Sequence, residues 1–379
     1  MKTGMKAAFD QRQNNIDFVR IFLALLVILS HSYSLALDNE RTEPFNLLSK
    51  GQGTGGRIAV DLFFILSGFL IAASYERSSS ALSYLRKRVA RIYPAFILLS
   101  LITVGVVLPL AHGRVAGATF SDKALNVIGN TLLLRNIGTE GAFPHNPAIG
   151  DVNGSLWSIA FEFWCYIGVM LLGLTGLLRS KKFLLTAFIG SVLVSILFAH
   201  FKWNVSGAIL GRIFGYPPFW ARLLPMYLAG VVFYRFRQDI PLSPKLAIAA
   251  GIAMVAAFRV PLGYAALFPI AGTYLVMCFS FAPSIRLHGA ARYGDFSYGT
   301  YLYGFPIQQL ILQAFVLTLG RPASPLLLFA CAAPVTLAVA AMSWYTVEKR
   351  FLQAVHKKKK TNPIALELSE RREPVQNSV

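Results

Sequence analysis

The chain has 379 residues, 55% hydrophobic and only 14% charged, with a formal net charge of +19. A soluble domain is about a quarter charged, so the deficit excludes an ordinary soluble enzyme and points to a bilayer as solvent. The positive excess is what cytoplasmic loops of a membrane protein accumulate, and no soluble basic stretch is long enough to argue for nucleic acid.

Apolar stretches of spanning length fall near 17–37, 58–75, 92–111, 155–178, 183–200, 219–234, 246–258, 262–281, 297–319 and 325–347. They predict an all-α integral membrane fold of about ten transmembrane helices over residues 1–352, followed by a basic, disordered tail over 353–379. Only Arg259, Pro261 and Gly263 break up the boundary between the seventh and eighth stretches. With a cytoplasmic N-terminus and alternating spans, 24 Lys and Arg fall inside and 11 outside, and Arg20 lies within a span. That bias predicts both termini cytoplasmic.

The N-terminus has features of a secretory signal, with Lys2, Lys6 and Arg12 ahead of the apolar run 21–29. Asp17, Arg20 and His31 within or beside that run predict an uncleaved first helix instead. Asp17 and Arg20, three apart, share a face and can pair. His31 returns to the same face about 16 Å further along. A neutral imidazole at that depth can act as a general base; spacing alone equally allows an interfacial ion pair and a satisfied polar histidine.

The glycine-rich segment 51–56 has no strand before it and no Lys-Ser/Thr after it, which predicts a flexible outer loop. In the second span, Asp61 lies one turn into the membrane and needs a partner, while Ser67 and Gly68 permit close helix packing. The run Arg86-Lys87-Arg88-Val89-Ala90-Arg91 opens the third span. Alone it reads as topology and anionic-lipid contact, but Arg88 and Arg91 face one way and also suit a polyphosphate. A short apolar piece at 124–134 predicts an interfacial or re-entrant helix. Glu162 falls about 10 Å into the fourth span, at the depth expected of His31. Cys165, Cys278 and Cys331 sit in apolar segments without CxxC spacing, so neither a disulfide framework nor a zinc site is predicted.

Four segments then stand out together: Arg20 with His31 eleven residues on; Val60-Asp61-Leu62-Phe63-Phe64-Ile65-Leu66-Ser67-Gly68-Phe69; Arg88-Val89-Ala90-Arg91-Ile92-Tyr93-Pro94; and Leu156-Trp157-Ser158-Ile159-Ala160-Phe161-Glu162. With Phe296–Tyr303 and Val347–Phe351 they occur in an order that resembles the membrane-bound acyltransferase family 3, over residues 14–352. That family includes bacterial O-acetyltransferases of lipopolysaccharide, exopolysaccharide and Nod factors. The resemblance implies a multi-pass protein of the bacterial inner membrane, with acetyl-CoA as cytoplasmic donor and no metal. It also implies a glycan or lipid-linked saccharide as acceptor, in contact with membrane lipids. His31 becomes catalytic, assisted by Glu162 or Asp61, with Arg20, Arg88 and Arg91 as the donor-binding set. Phe18-Val19, where the first motif usually has Gly-Leu, and Phe163 after Glu162 depart from the pattern. The alternatives are a transporter or flippase for a lipid-linked sugar, which calls for repeated broken helices, and an acyl-binding membrane sensor.

Overall fold

A computed structural model describes residues 14–205, 211, 213–290 and 292–357. Lys2, Lys6, Arg12 and the tail from residue 358 lie outside the described residues. Each of the ten apolar stretches contains a helix. In chain order these are α1 (Ile16–Leu37), α2 (Gly55–Glu76), α3 (Ala81–Ile102, continued by a π-turn to Leu110) and, after the amphipathic α4 (Phe120–Leu132), α5 (Trp157–Leu174). They continue with α6 (Lys181–Phe201), α7 (Pro217–Arg235), α8 (Pro244–Ala257), α9 (Gly263–Ser280), α10 (Ser297–Leu319) and α11 (Pro325–Ser343), which a second π-turn carries on to Lys357. Eight of them are long and apolar enough to cross a membrane; α7 and the 14-residue α8 are not among the eight. The β structure described is one antiparallel pair, Arg114–Val115 with Thr139–Glu140.

Helix starts follow local chemistry. Thr54, Ser80 and Ser180 accept hydrogen bonds from the first-turn N–H groups of α2, α3 and α6, and Thr119 with Asp122 closes a capping box on α4. Phe120, Leu125, Ile128 and Leu132 of α4 are exposed, as suits a helix lying in an interface.

Contacts sort the helix ends into two sets, called the inner end, where α1 begins, and the outer end, where α2 begins. At the inner end, Asn15 bonds to Phe279, Ser280 and Ile285, and Tyr234 bonds to Glu76. At the outer end, Gln52 bonds to the carbonyls of Ala257, Phe258 and Val260 and accepts from the Tyr264 N–H. That grip corrects the expected flexible loop: segment 51–56 is tied to the α8–α9 turn, and its last two glycines begin α2. The chain enters α1 and leaves α11 at the same end, where Arg91 joins α3 to Glu348.

The central helix α2 packs against α1, α5, α7 and α9. Its contact with α7 is the closest kind two helices make. A Cβ on Gly68 would run into the carbonyl of Tyr227, and one on Gly230 into that of Ile65. Glycine at both positions therefore sets the helix separation, as the Ser67-Gly68 pair predicts.

Candidate active site

Two cavities lie on α2, one toward each end. The inner one, of about 370 Å³, is lined by five cationic side chains, Arg20, Arg77, Lys87, Arg88 and Arg91, and by a single carboxylate, Glu162. Its walls come from α1, α2, α3, α5 and α10, with Leu352 from the continuation of α11. The outer cavity, about 430 Å³, holds His31 with Arg57, Arg222, Glu40, Asn46, Trp157 and Phe219.

The cations of the inner cavity are not equivalent. Arg20 donates to Asp295 at 2.5 Å and only approaches Asp17, at 4.0 Å. The expected Asp17–Arg20 pair is present at the limit of ion-pair distance, and a shorter partner is added from 275 residues away in sequence. Arg91 donates to the same Asp295 oxygen at 2.6 Å and to Glu348 at 3.2 Å. Both its terminal nitrogens are thus committed to protein carboxylates. Glu348 reaches it because the π-turn Trp344–Glu348 turns the end of α11 inward. Burial raises the proton affinity of Asp295, but the Arg20 and Arg91 guanidiniums outweigh it and hold the carboxyl well below the usual range.

Arg88 differs. Its Nη2 makes one long bond to Ser74, at 3.3 Å, and its guanidinium lies between the rings of Tyr84 and Tyr166. No carboxylate lies within ion-pair distance among the described residues, and its buried Nε has no partner. Of the three arginines expected to meet the donor, Arg88 alone has no carboxylate partner among the described residues. Arg77, at the C-cap of α2, and Lys87 beside it were missed as cavity residues because the sequence pattern attributes them to topology.

Glu162 accepts from Ser67 at 2.9 Å and from Tyr166 at 2.6 Å, both at Oε1. It belongs to the inner cavity, whereas His31 belongs to the outer one. Asp61 is fully buried and lines neither. It accepts from Arg222 Nε at 3.0 Å and from Tyr264 Oη at 2.6 Å. The expected assistance of His31 by Glu162 or Asp61 therefore has no contact behind it. Matching depth along two helices does not bring their side chains together across the gap between them.

The imidazole of His31 has no hydrogen-bond partner among the described residues and meets the Phe305 ring edge-on at 5.1 Å. Nearby, Trp157 packs against Phe219 with the rings tilted, at 4.4 Å, and carries the Arg222 guanidinium at 5.7 Å. Arg222 and Asp295 carry no signal in the motifs. What points to Asp295 is scarcity: with 17 acidic residues against 36 basic ones, a carboxylate at a span border is a candidate partner for a buried arginine.

The sequence profile of acyltransferase family 3, described as an acyltransferase domain, matches residues 13–345. The chain belongs to this family. It is an acyltransferase built as a multi-pass membrane protein, and the transporter and sensor alternatives give way. It is similar to an O-acetyl transferase of Shigella phage Sf6, 27% identical over 361 residues that cover 90% of this chain and 96% of that one. Nodulation protein 10 of Rhizobium leguminosarum bv. viciae is 25% identical over 89% of this chain and 92% of its own. Acyltransferase MdmB of Streptomyces mycarofaciens is 32% identical over 114 residues, 30% of this chain and 27% of the relative. No solved structure matches. Among the described residues of the acyltransferase, no cluster of three or more His, Cys, Asp or Glu is placed to hold a metal, and the three cysteines are unpaired thiols.

Proposed function

We propose that the acyltransferase moves an acetyl group from acetyl-CoA, bound in the inner cavity, to a hydroxyl of a glycan or lipid-linked saccharide bound in the outer cavity. The observation that carries this reading is the division of labour between the cavities. One is walled by cations in excess over its single carboxylate, and the other presents an unpaired imidazole. Polyphosphate recognition needs the first, and proton abstraction from a hydroxyl needs the second.

In this reading ten helices cross a bacterial inner membrane with both termini cytoplasmic, so that the inner cavity opens to the cytoplasm. Arg88, with its spare Nε–H, takes a phosphate of the donor, and Arg77 and Lys87 extend that surface. Arg20 and Arg91, locked to Asp295 and Glu348, shape the wall. The outer cavity suits a sugar: the Trp157–Phe219 aromatic surface accepts a ring face, and Asn46 and Glu40 can meet hydroxyls. His31 removes the proton of the acceptor hydroxyl as its oxygen attacks the thioester carbonyl. A C–O bond forms, the C–S bond breaks, and the departing thiolate recovers the proton from the imidazolium. Asp61 and Glu162 act at one remove, Asp61 by fixing Arg222 and Glu162 by anchoring Ser67 and Tyr166 along the inner cavity.

The test is acyl transfer from labelled acetyl-CoA in membranes carrying the protein. His31→Ala is expected to abolish labelling of the glycan while leaving donor binding intact. Free coenzyme A is expected to compete in the parent and much less in Arg88→Ala. Equal glycan labelling with and without His31 removes the catalytic assignment.

A further inference from the structure

The two cavities meet at two side chains. Among the described residues only Val60, on α2, and Tyr301, on α10, line both. Each is held in place. Val60 is β-branched in a helix, which leaves it essentially one side-chain rotamer. The Tyr301 hydroxyl donates to the Ser155 carbonyl at 2.8 Å and accepts from Ser158 Oγ at 2.6 Å, while its ring meets Phe63 edge-on at 6.0 Å. Ser158 and Phe63 both line the inner cavity. One turn further along α10, Phe305 packs against His31, so a single face of that helix serves the wall and the imidazole.

We propose that Val60 and Tyr301 form the aperture through which the acyl group passes to reach His31, and that this aperture admits straight acyl chains and rejects those branched beside the carbonyl. The proposal rests on the reading above, in which the donor lies in the inner cavity and His31 acts in the outer one. On that reading the acyl group is the leading end of the donor, and the reacting carbonyl has to cross the wall. A straight chain is no wider than the thiol-bearing arm that follows it. A methyl branch next to the carbonyl widens the group at the point that sits between the Val60 methyls and the Tyr301 ring. Close-packed walls yield little, and one misfitting methyl costs roughly 10–200-fold in rate. The bonds made and broken are those already given; the aperture changes only which acyl group arrives. Selection is therefore by cross-section and not by chain length, and butyryl should pass where its isomer isobutyryl does not.

The experiment uses the full chain in membranes and labelled acetyl-, butyryl- and isobutyryl-CoA, reading acyl groups on the glycan by mass spectrometry. The parent is expected to transfer acetyl and butyryl and to transfer isobutyryl at least about tenfold more slowly than butyryl. Val60→Ala is expected to raise the isobutyryl-to-butyryl ratio about tenfold, and Val60→Ile to lower it. Tyr301→Phe, which keeps the ring and removes its two-point clamp, is expected to raise the ratio by a smaller factor. Opposite movements in the two Val60 variants support the aperture even where a Tyr301 variant folds poorly. A ratio unchanged in both Val60 variants, with acetyl transfer retained, overturns it. Acylation that survives His31→Ala instead brings down the underlying reading, whatever the ratios show.

Discussion

At the inner end of the bundle five cations surround one cavity carboxylate, and Asp295 and Glu348 lock two of those cations in place. At the outer end, Asp61 and Tyr264 take up Arg222, and the imidazole of His31 has no hydrogen-bond partner among the described residues. The same device, a buried carboxylate fixing an arginine, thus works at both ends, with five cations in the inner cavity and an unpaired imidazole in the outer one. On the proposed reading, a polyanionic donor occupies the first environment. On the same reading, a hydroxyl gives up its proton to His31 in the second.

The comparison predicts different failures at the two ends. The largest effect is on chemistry: His31→Ala should slow acyl transfer by about 10²–10⁴-fold, the range of a positioned base, with coenzyme A still bound; a smaller loss in a transfer assay means that the outer cavity is not where the proton leaves. Next comes the packing that holds the cavities apart. Gly68→Val or Gly230→Val forces α2 and α7 apart, and detergent-solubilised protein should show a collapsed melting transition or fail to accumulate. Asp295→Asn leaves Arg20 with Asp17 alone and Arg91 with Glu348 alone and should cost about 2 kcal/mol of stability, the scale of hydrogen bonds to charged groups. By contrast, Arg88→Ala should leave the melting curve unchanged and raise the donor KM roughly tenfold or more, as for a charged hydrogen bond. If both variants lose stability alike, the division between structural and spare cations fails.

The smallest effect is on pH. Because Asp295 is held below its ordinary value, its pairing contributes fully above the unfolded carboxyl range and is lost only as pH falls through that range toward the depressed value. Thermal stability should therefore be flat near neutrality and decline only in strongly acid solution, and Asp295→Asn should remove that part of the decline.

Much of this architecture is legible from residue order. The bilayer selects apolar stretches, so all ten helices stand out, and the Ser67-Gly68 pair announces a close crossing. Single residues on one strand of sequence also mark the site: Arg20 and His31 on one face, the basic start of α3, the carboxylate of Glu162. Their partners do not show. Asp17 lies nearest to Arg20 in sequence and pairs with it at 4.0 Å, yet the shorter bond is to Asp295, since the start of α10 is brought to α1 by packing and not by spacing. Glu162 and His31, expected at one depth from residue counting, lie in different cavities, and Asp61 turns to Arg222 across the α2–α7 contact.

Length, hydropathy and charge bias by themselves determined a helical membrane protein, and six short motifs determined its family, because both are carried by residue identity and local order. The tertiary structure decided which arginines are committed and which is spare, that His31 stands alone, and that Val60 and Tyr301 divide two cavities. Those properties depend on which carboxylate fills which gap between helices far apart in the chain, and in a low-dielectric interior a buried charge takes whatever partner packing supplies.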